Sequence, residues 1–338
     1  MTPHVRIDVH VHGFPRAYLE SITAYYPREV RPARHDGVMW HGVPLPAWDR
    51  RARLTEMDDD HVAVEVLSAP TVYTSLDAHA GQLCSGLNDF TAGECDAEPD
   101  RFRAWLHLPV NDPDAAEREL ERWRGAGHIA GIVIGSNAAG VYPGQPEFRP
   151  VLDLIAETPW PLFIHPSVPP GTAGTVAAPI LGMPADTTAA ALSLIYSGAM
   201  DRYPQLTVVL GHYGGVLPFL ASRANMGVDL PGFTPGHGQD LPQHPQHYLS
   251  RFAVDSAQGY HAPAFTCTLD TLGADRILYG SDHGTLNDYR ARMNRFLDSL
   301  DLDDGTRDAV LADNAHHILG ATRSTAARDV QGRRNARR

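Results

Sequence analysis

Eight short apolar runs rich in β-branched and aromatic residues, separated by stretches with helical periodicity, constrain this chain more than any other feature. They span residues 5–9, 62–67, 102–108, 130–134, 161–165, 207–211, 252–256 and 276–280. Most intervals bury one helical face, at 77–97, 113–126, 147–158, 186–202 and 288–299, with Asp77, Asp186 and Asn287 as start caps. Eight strands alternating with helices over 338 residues predict an α/β fold, a single (β/α)8 TIM barrel. An open doubly wound sheet also alternates, but it carries a glycine-rich dinucleotide turn after its first strand, and here that place reads HVHGFP. Two Pro- and Gly-rich stretches interrupt the pattern, 27–50 after strand one, with room for a small hairpin, and 228–248 after strand six. Both would emerge at the carboxyl ends of strands, where barrels build their sites. The barrel is expected to occupy residues 1–322, with 27–50 as an insertion at its mouth and 323–338 as an arginine-rich, disordered tail.

Charge and composition exclude several classes of function. A formal net charge of -12 argues against general nucleic-acid binding, which needs a basic surface to neutralise phosphates. Lysine is absent, so Schiff-base chemistry, a pyridoxal-phosphate linkage and a carbamylated lysine bridging two metals are all excluded. Cys84, Cys95 and Cys267 are too widely spaced for a thiolate zinc site and read as buried, reduced thiols. No run of about eighteen apolar residues suggests a membrane span. The opening MTPHVRIDVH lacks the basic-then-apolar layout of a secretory signal, so a cytoplasmic address is expected.

Four ligand-type residues close predicted strands: His10 and His12 in VRIDVHVH, His165 in PLFIH and Asp282 in RILYGSD. Residues i and i+2 of a strand point to the same face, so the His-x-His pair can grip one ion with both imidazoles. Three neutral imidazoles and one carboxylate leave a bound dication net positive, able to polarise a substrate oxygen and lower the pKa of bound water. The expected cofactor is Zn²⁺, one per chain, or another divalent metal such as Mn²⁺. His212, in VVLGHYGG, stands beside this cluster as a fifth ligand or a general acid/base, and Gly211, Gly214 and Gly215 allow tight backbone around it. Asp255 is a further mouth carboxylate suited to orienting a histidine. Trp40, Trp48 and Tyr213 offer stacking surfaces for an aromatic substrate.

In this order the pieces IDVHVHGFP (7–15), WDRRARLTEMD (48–58), FIHP (163–166), GMPADTTAAALSLIYSGAMDRYP (182–204), GHYGG (211–215), FAVDSA (252–257) and LYGSD (278–282) resemble the metal-dependent amidohydrolase superfamily. Within it they are most similar to the branch typified by aminocarboxymuconate semialdehyde decarboxylase. The resemblance implies a distorted (β/α)8 barrel, one Zn²⁺ held by His10, His12, His165 and Asp282, and His212 as the acid/base. It further implies a homodimer in which Arg223 crosses the interface to bind a substrate carboxylate. Where the semialdehyde decarboxylase has a second arginine, spacing places His41, which has neither a fixed charge nor a fork of donors. Pro179 and His283-Gly284 also depart from the branch. The activity implied is decarboxylation of a small aromatic or dienoic carboxylic acid, with His212 and Asp282 catalytic and Arg223, His41 and Trp40 contacting substrate. The same scaffold also supports a hydrolase, a hydratase or a cyclising dehydratase.

Overall fold

A computed structural model of the chain describes residues 4–320 apart from 34–35, 41–42, 71–78, 170, 173–174, 176–177, 231–239 and 286. His41, Asp77 and the tail 323–338 therefore lie outside the described residues. Strand β1 is Arg6–His12 and strands β2 (Val30–Pro32), β3 (Gly37–Trp40) and β4 (Val43–Pro46) follow in the excursion. The remaining strands are β5 (Val62–Ser68), β6 (Phe102–His107), β7 (Ile129–Gly135), β8 (Leu162–His165), β9 (Val208–Leu210), β10 (Phe252–Asp255) and β11 (Ile277–Leu278). Each of the eight predicted runs contains or overlaps one of them.

These eight form one sheet in the order β1-β5-β6-β7-β8-β9-β10-β11, every pairing parallel. The first and last strands close on each other through Val9 N to Tyr279 O at 3.0 Å and Asp282 N to His10 O at 2.8 Å. The excursion is a three-stranded antiparallel sheet, β2-β3-β4, one strand more than a hairpin. It packs Val30, Val38 and Leu45 on Phe14 and the helix Arg16–Tyr25 as a small separate core.

Alternation along the strands sorts the apolar residues into two shells. Ile164, Leu210 and Val254 face out under the helices, whereas Phe163, Val209 and Ala253 meet Ile7, Val9, Val64, Val66 and Trp105 in the lumen. Trp105 fills that lumen and donates its indole N–H to Val9 O at 2.7 Å, so its one polar group is satisfied. Opposite it stands Gly131, where a Cβ would lie 2.3 Å from the indole ring, so only glycine fits. The helix Asn314–Leu319 closes the lumen from below with Ala315 and Leu319.

Asp186 does not cap its helix. The helix starts at Met183, and the buried Asp186 carboxylate instead accepts from Ser136, from Asn137 Nδ2 at 2.7 Å and from Tyr142 OH at 2.7 Å. The stretch Ala178–Tyr196, although no unbroken apolar run, is long and apolar enough by composition to cross a bilayer. Its Ala190, Ala191, Leu194 and Ile195 pack into the outer core, and that packing accounts for the composition.

Candidate metal centre

The carboxyl ends of the barrel strands bring together the residues that the sequence scattered. His10 and His12 end β1 and His165 ends β8. Asp282 and His212 lie four and two residues beyond the last residues of β11 and β9, not within them. Both adopt left-handed backbone, φ 54° and 55°, which ends the ladder and turns each side chain inward. One donor atom from each of His10, His12, His165 and Asp282 lies within 4.8 Å of all the others, and all four residues are buried.

The three imidazoles form a nearly equilateral triangle, with ring centroids 5.0, 5.0 and 4.9 Å apart. His12 Nε2 lies 3.2 Å from His165 Nε2 and 2.9 Å from Asp282 Oδ1, while His10 Nε2 lies 3.5 Å from that same oxygen. Donors bound to a single ion at about 2.1 Å stand roughly 3–3.5 Å from each other, so these separations fit one cation.

The opposite ring nitrogens are all engaged. His10 Nδ1 donates to Asp255 Oδ2 at 2.8 Å and His165 Nδ1 to Pro166 O at 2.9 Å. Ser68 Oγ gives its proton to Val11 O at 3.0 Å and faces His12 Nδ1 at 3.2 Å as an acceptor. Each Nδ1 therefore carries a proton, and in the neutral rings that a cation requires each Nε2 turns a lone pair toward the common centre. His10 Nε2 is buried with no hydrogen-bond partner among the described residues. An orphaned buried acceptor of this kind is costly unless something electropositive meets it.

Electrostatics point the same way. Burial penalises the His10 imidazolium, but Asp255 and Asp282 outweigh it and push His10 up to about 9. Burial and the neighbouring imidazoles hold His165 well below its ordinary value. Burial opposes ionisation of Asp282, yet His10, His12 and His212 keep its carboxyl well below the usual range. With all three imidazoles neutral, Asp282 at the centre and Asp255 behind the His10 ring leave two negative charges around the site. That is the complement of a dication, and the residues present fit one.

His212 stacks on His10, ring centroids 5.1 Å apart and 15° from parallel. Its backbone N–H donates to Asp255 Oδ1 at 3.0 Å, so one carboxylate orients both histidines. Its Nε2 is buried, lies 3.4 Å from Asp282 Oδ2 and has no hydrogen-bond partner among the described residues.

The expected substrate contacts are brought together less. Arg223 is exposed on the turn Arg223–Asn225, and its side chain makes no hydrogen bond or ion pair among the described residues. Trp40 packs half-buried on the core of the excursion, and Trp48 meets Phe90 and Phe102 edge to face. Tyr213 is buried against Phe265, which removes it as a stacking surface. His283 points its Nε2 to Glu56, 3.4 Å away. Ser68, Thr285 and Gln258 join the site without having been singled out in sequence. Ser68 was findable as the last residue of a strand, whereas the other two sit in turns with no such signal.

The Amidohydrolase family model matches residues 7–321. Gamma-resorcylate decarboxylase of Rhizobium sp. is 28% identical over 255 residues, covering 70% of this chain and 77% of its own. The 2-amino-3-carboxymuconate-6-semialdehyde decarboxylase of Dictyostelium discoideum is 28% identical over 303 residues, 82% and 81% of the two chains. Among solved structures, a dihydroxybenzoic acid decarboxylase from Polaromonas sp. JS666, determined with bound manganese and the inhibitor 2-nitroresorcinol, superposes with a TM-score of 0.78. It shares 21% identity, with 95% of this chain and 98% of that one covered. Fold, donor set and sequence converge: the chain belongs to the amidohydrolase family.

Proposed function

We propose that this protein is a metal-dependent decarboxylase acting on a small hydroxylated aromatic carboxylic acid. The observation that carries the reading is the pairing of a convergent His10, His12, His165 and Asp282 donor set with a fourth imidazole, His212, whose Nε2 is buried beside Asp282 with no hydrogen-bond partner among the described residues. Curated relatives at 28% identity are decarboxylases, which supports the class of reaction. A cation held by the four donors supplies a fixed positive charge that stabilises an anionic substrate oxygen.

The remaining chemistry belongs to this chain. The His212 imidazolium, steadied by Asp282 Oδ2 at 3.4 Å, delivers its Nε2 proton to the ring carbon that bears the carboxylate. The bond from that carbon to the carboxylate then breaks, its electron pair returns to the ring, and CO₂ leaves. The product keeps the proton, and His212 is reprotonated from solvent. Asp255 holds the His212 backbone so that the imidazole approaches from one direction. A hydroxyl ortho or para to the carboxylate makes the ring carbon basic enough to accept that proton, which favours hydroxybenzoates over dicarboxylates.

Zn²⁺ and Mn²⁺ both suit three imidazoles and a carboxylate, and the manganese in the Polaromonas enzyme makes Mn²⁺ the first metal to load. A homodimer is part of the proposal. Ile180 and Phe219 are 74% and 81% exposed on segments that meet where Gly215 packs on the Pro184 carbonyl, and burying that apolar surface against a second copy would stabilise a dimer. Arg223, shortly after Phe219, would then be placed to reach a neighbouring site.

The test is metal analysis of the purified protein together with ¹³CO₂ release from carboxyl-labelled γ-resorcylate and other hydroxybenzoates. About one divalent metal per chain and CO₂ release that His212→Ala abolishes is the expected result. Bound metal with no CO₂ from any acid, and solvent ¹⁸O in a product instead, would transfer the reading to hydrolysis or hydration.

A further inference from the structure

A carboxylate has two equivalent oxygens on a soft terminal torsion, so which oxygen faces a metal must be decided by its neighbours. In Asp282 the division of labour is complete. Oδ1 faces His12 at 2.9 Å and His10 at 3.5 Å and accepts from Thr285 Oγ1 at 3.0 Å. Oδ2 faces His212 Nε2 at 3.4 Å and accepts a hydrogen bond from the Gln258 side-chain amide.

Gln258 is held there by its backbone. It has φ 57°, a left-handed conformation that is unfavourable for a residue with a side chain, in the turn that follows β10. The turn is pinned on both sides. Asp255 Oδ1 accepts from Ala257 N at 2.9 Å, and Gly259 N donates to Ser256 O at 3.1 Å. At Gly259 a Cβ would lie 1.7 Å from the Tyr213 ring, so the chain passes directly over the residue next to His212. Gln258 itself is exposed, yet its amide reaches in to a buried carboxylate. Strained backbone around a polar side chain aimed at a ligand carboxylate is what a site needing a fixed orientation requires.

We infer that Gln258 is a positioning residue of the metal centre: its amide fixes Asp282 so that Oδ1 serves the cation and Oδ2 serves His212. The inference rests on the metal-centre reading above but not on the identity of the substrate. Outer-shell partners of metal ligands are typically worth about 10–100-fold in metal affinity or activity. Losing the amide leaves Thr285 Oγ1 as the one hydroxyl or amide donor on this carboxylate among the described residues, and Oδ2 without the bond that holds it toward His212.

The experiment is Mn²⁺ titration of the metal-free protein, followed by calorimetry and by the manganese electron paramagnetic resonance spectrum, for wild type, Gln258→Met and Gln258→Gly. Methionine keeps the length and removes the donor. Glycine removes the side chain and is at ease at this φ, so it guards against a variant that fails through strain. Both variants are expected to bind Mn²⁺ about 10–100-fold more weakly than wild type, with an altered spectrum and unchanged circular dichroism. Wild-type affinity in either variant overturns the inference. The readout separates the failures: a wild type that binds Mn²⁺ but releases no CO₂ would sink only the decarboxylase reading. A wild type that binds no divalent metal would sink the metal centre and this inference together.

Discussion

The mouth of the barrel and the lumen beneath it are built from the same strands and obey opposite rules. Below, Trp105, Phe163, Val9 and Leu278 pack on one another with a single side-chain hydrogen bond, from the Trp105 indole to Val9 O, and Leu319 seals the end. Above, His10 rests on Phe163, ring centroids 5.2 Å apart, and a cluster of imidazoles and carboxylates begins. Six described non-glycine residues have positive φ, and four of them, His212, Tyr213, Gln258 and Asp282, stand at this mouth. Each costs roughly 1–2 kcal/mol relative to ordinary backbone. The lumen contributes stability and a low-dielectric floor; the mouth spends some of that stability on orientation.

The contrast is sharpest where a ligand is lost. His10→Ala or Asp282→Ala should empty the metal site and reduce CO₂ release by at least about 10²–10³-fold, as removal of one preorganised electrostatic contact does elsewhere. Metal analysis and ¹³CO₂ release check both, and the melting temperature of the metal-free protein should hardly fall. His212→Ala should keep its metal and lose about 10²–10⁴ in kcat, the share expected of a general acid. Metal loss in that variant would make His212 a ligand instead.

In the lumen the signs reverse. Leu319→Ala should cost about 2–5 kcal/mol in denaturant unfolding while Mn²⁺ affinity stays within about twofold of wild type. A large change in affinity would show that plug and mouth are not independent.

The smallest effect concerns His107, which borders both regions at the end of β6. It is buried, and its Nε2 accepts from Ala69 N at 3.2 Å, which requires the neutral ring. Burial, helped by His12, holds it down at about 3. The unfolded chain takes up a proton near 6.5 whereas the folded chain resists until about 3, so the unfolded state binds more protons in that window. His107 therefore costs nothing above pH 6.5 and removes stability as pH falls from 6.5 toward 3. Comparing unfolding midpoints at pH 8 and pH 5 for wild type and His107→Gln, which keeps an acceptor for Ala69 but does not titrate, isolates this share. An equal acid shift in both proteins would assign the effect elsewhere.

The strands were legible because burial on both faces writes a continuous apolar run, and the four donors were legible because each lies at or just past the end of one. Asp186 was misjudged as a cap because its partners, Ser136, Asn137 and Tyr142, come from another βα unit, and no local pattern reveals them. Tyr213 was misjudged as a stacking surface because its burial depends on Phe265 and on the turn at Gly259. The third strand of the excursion was missed because Val30–Pro32 is too short to carry a period.

By itself the sequence determined the barrel, the donor types gathered at its mouth and the lack of lysine, because period, strand ends and composition are properties of the chain taken in order. Only the tertiary structure decided which oxygen of Asp282 faces which histidine, that Asp255 orients both His10 and His212, and that Gln258 reaches the centre. Those are contacts between turns of different βα units, and their geometry exists only once the sheet has closed.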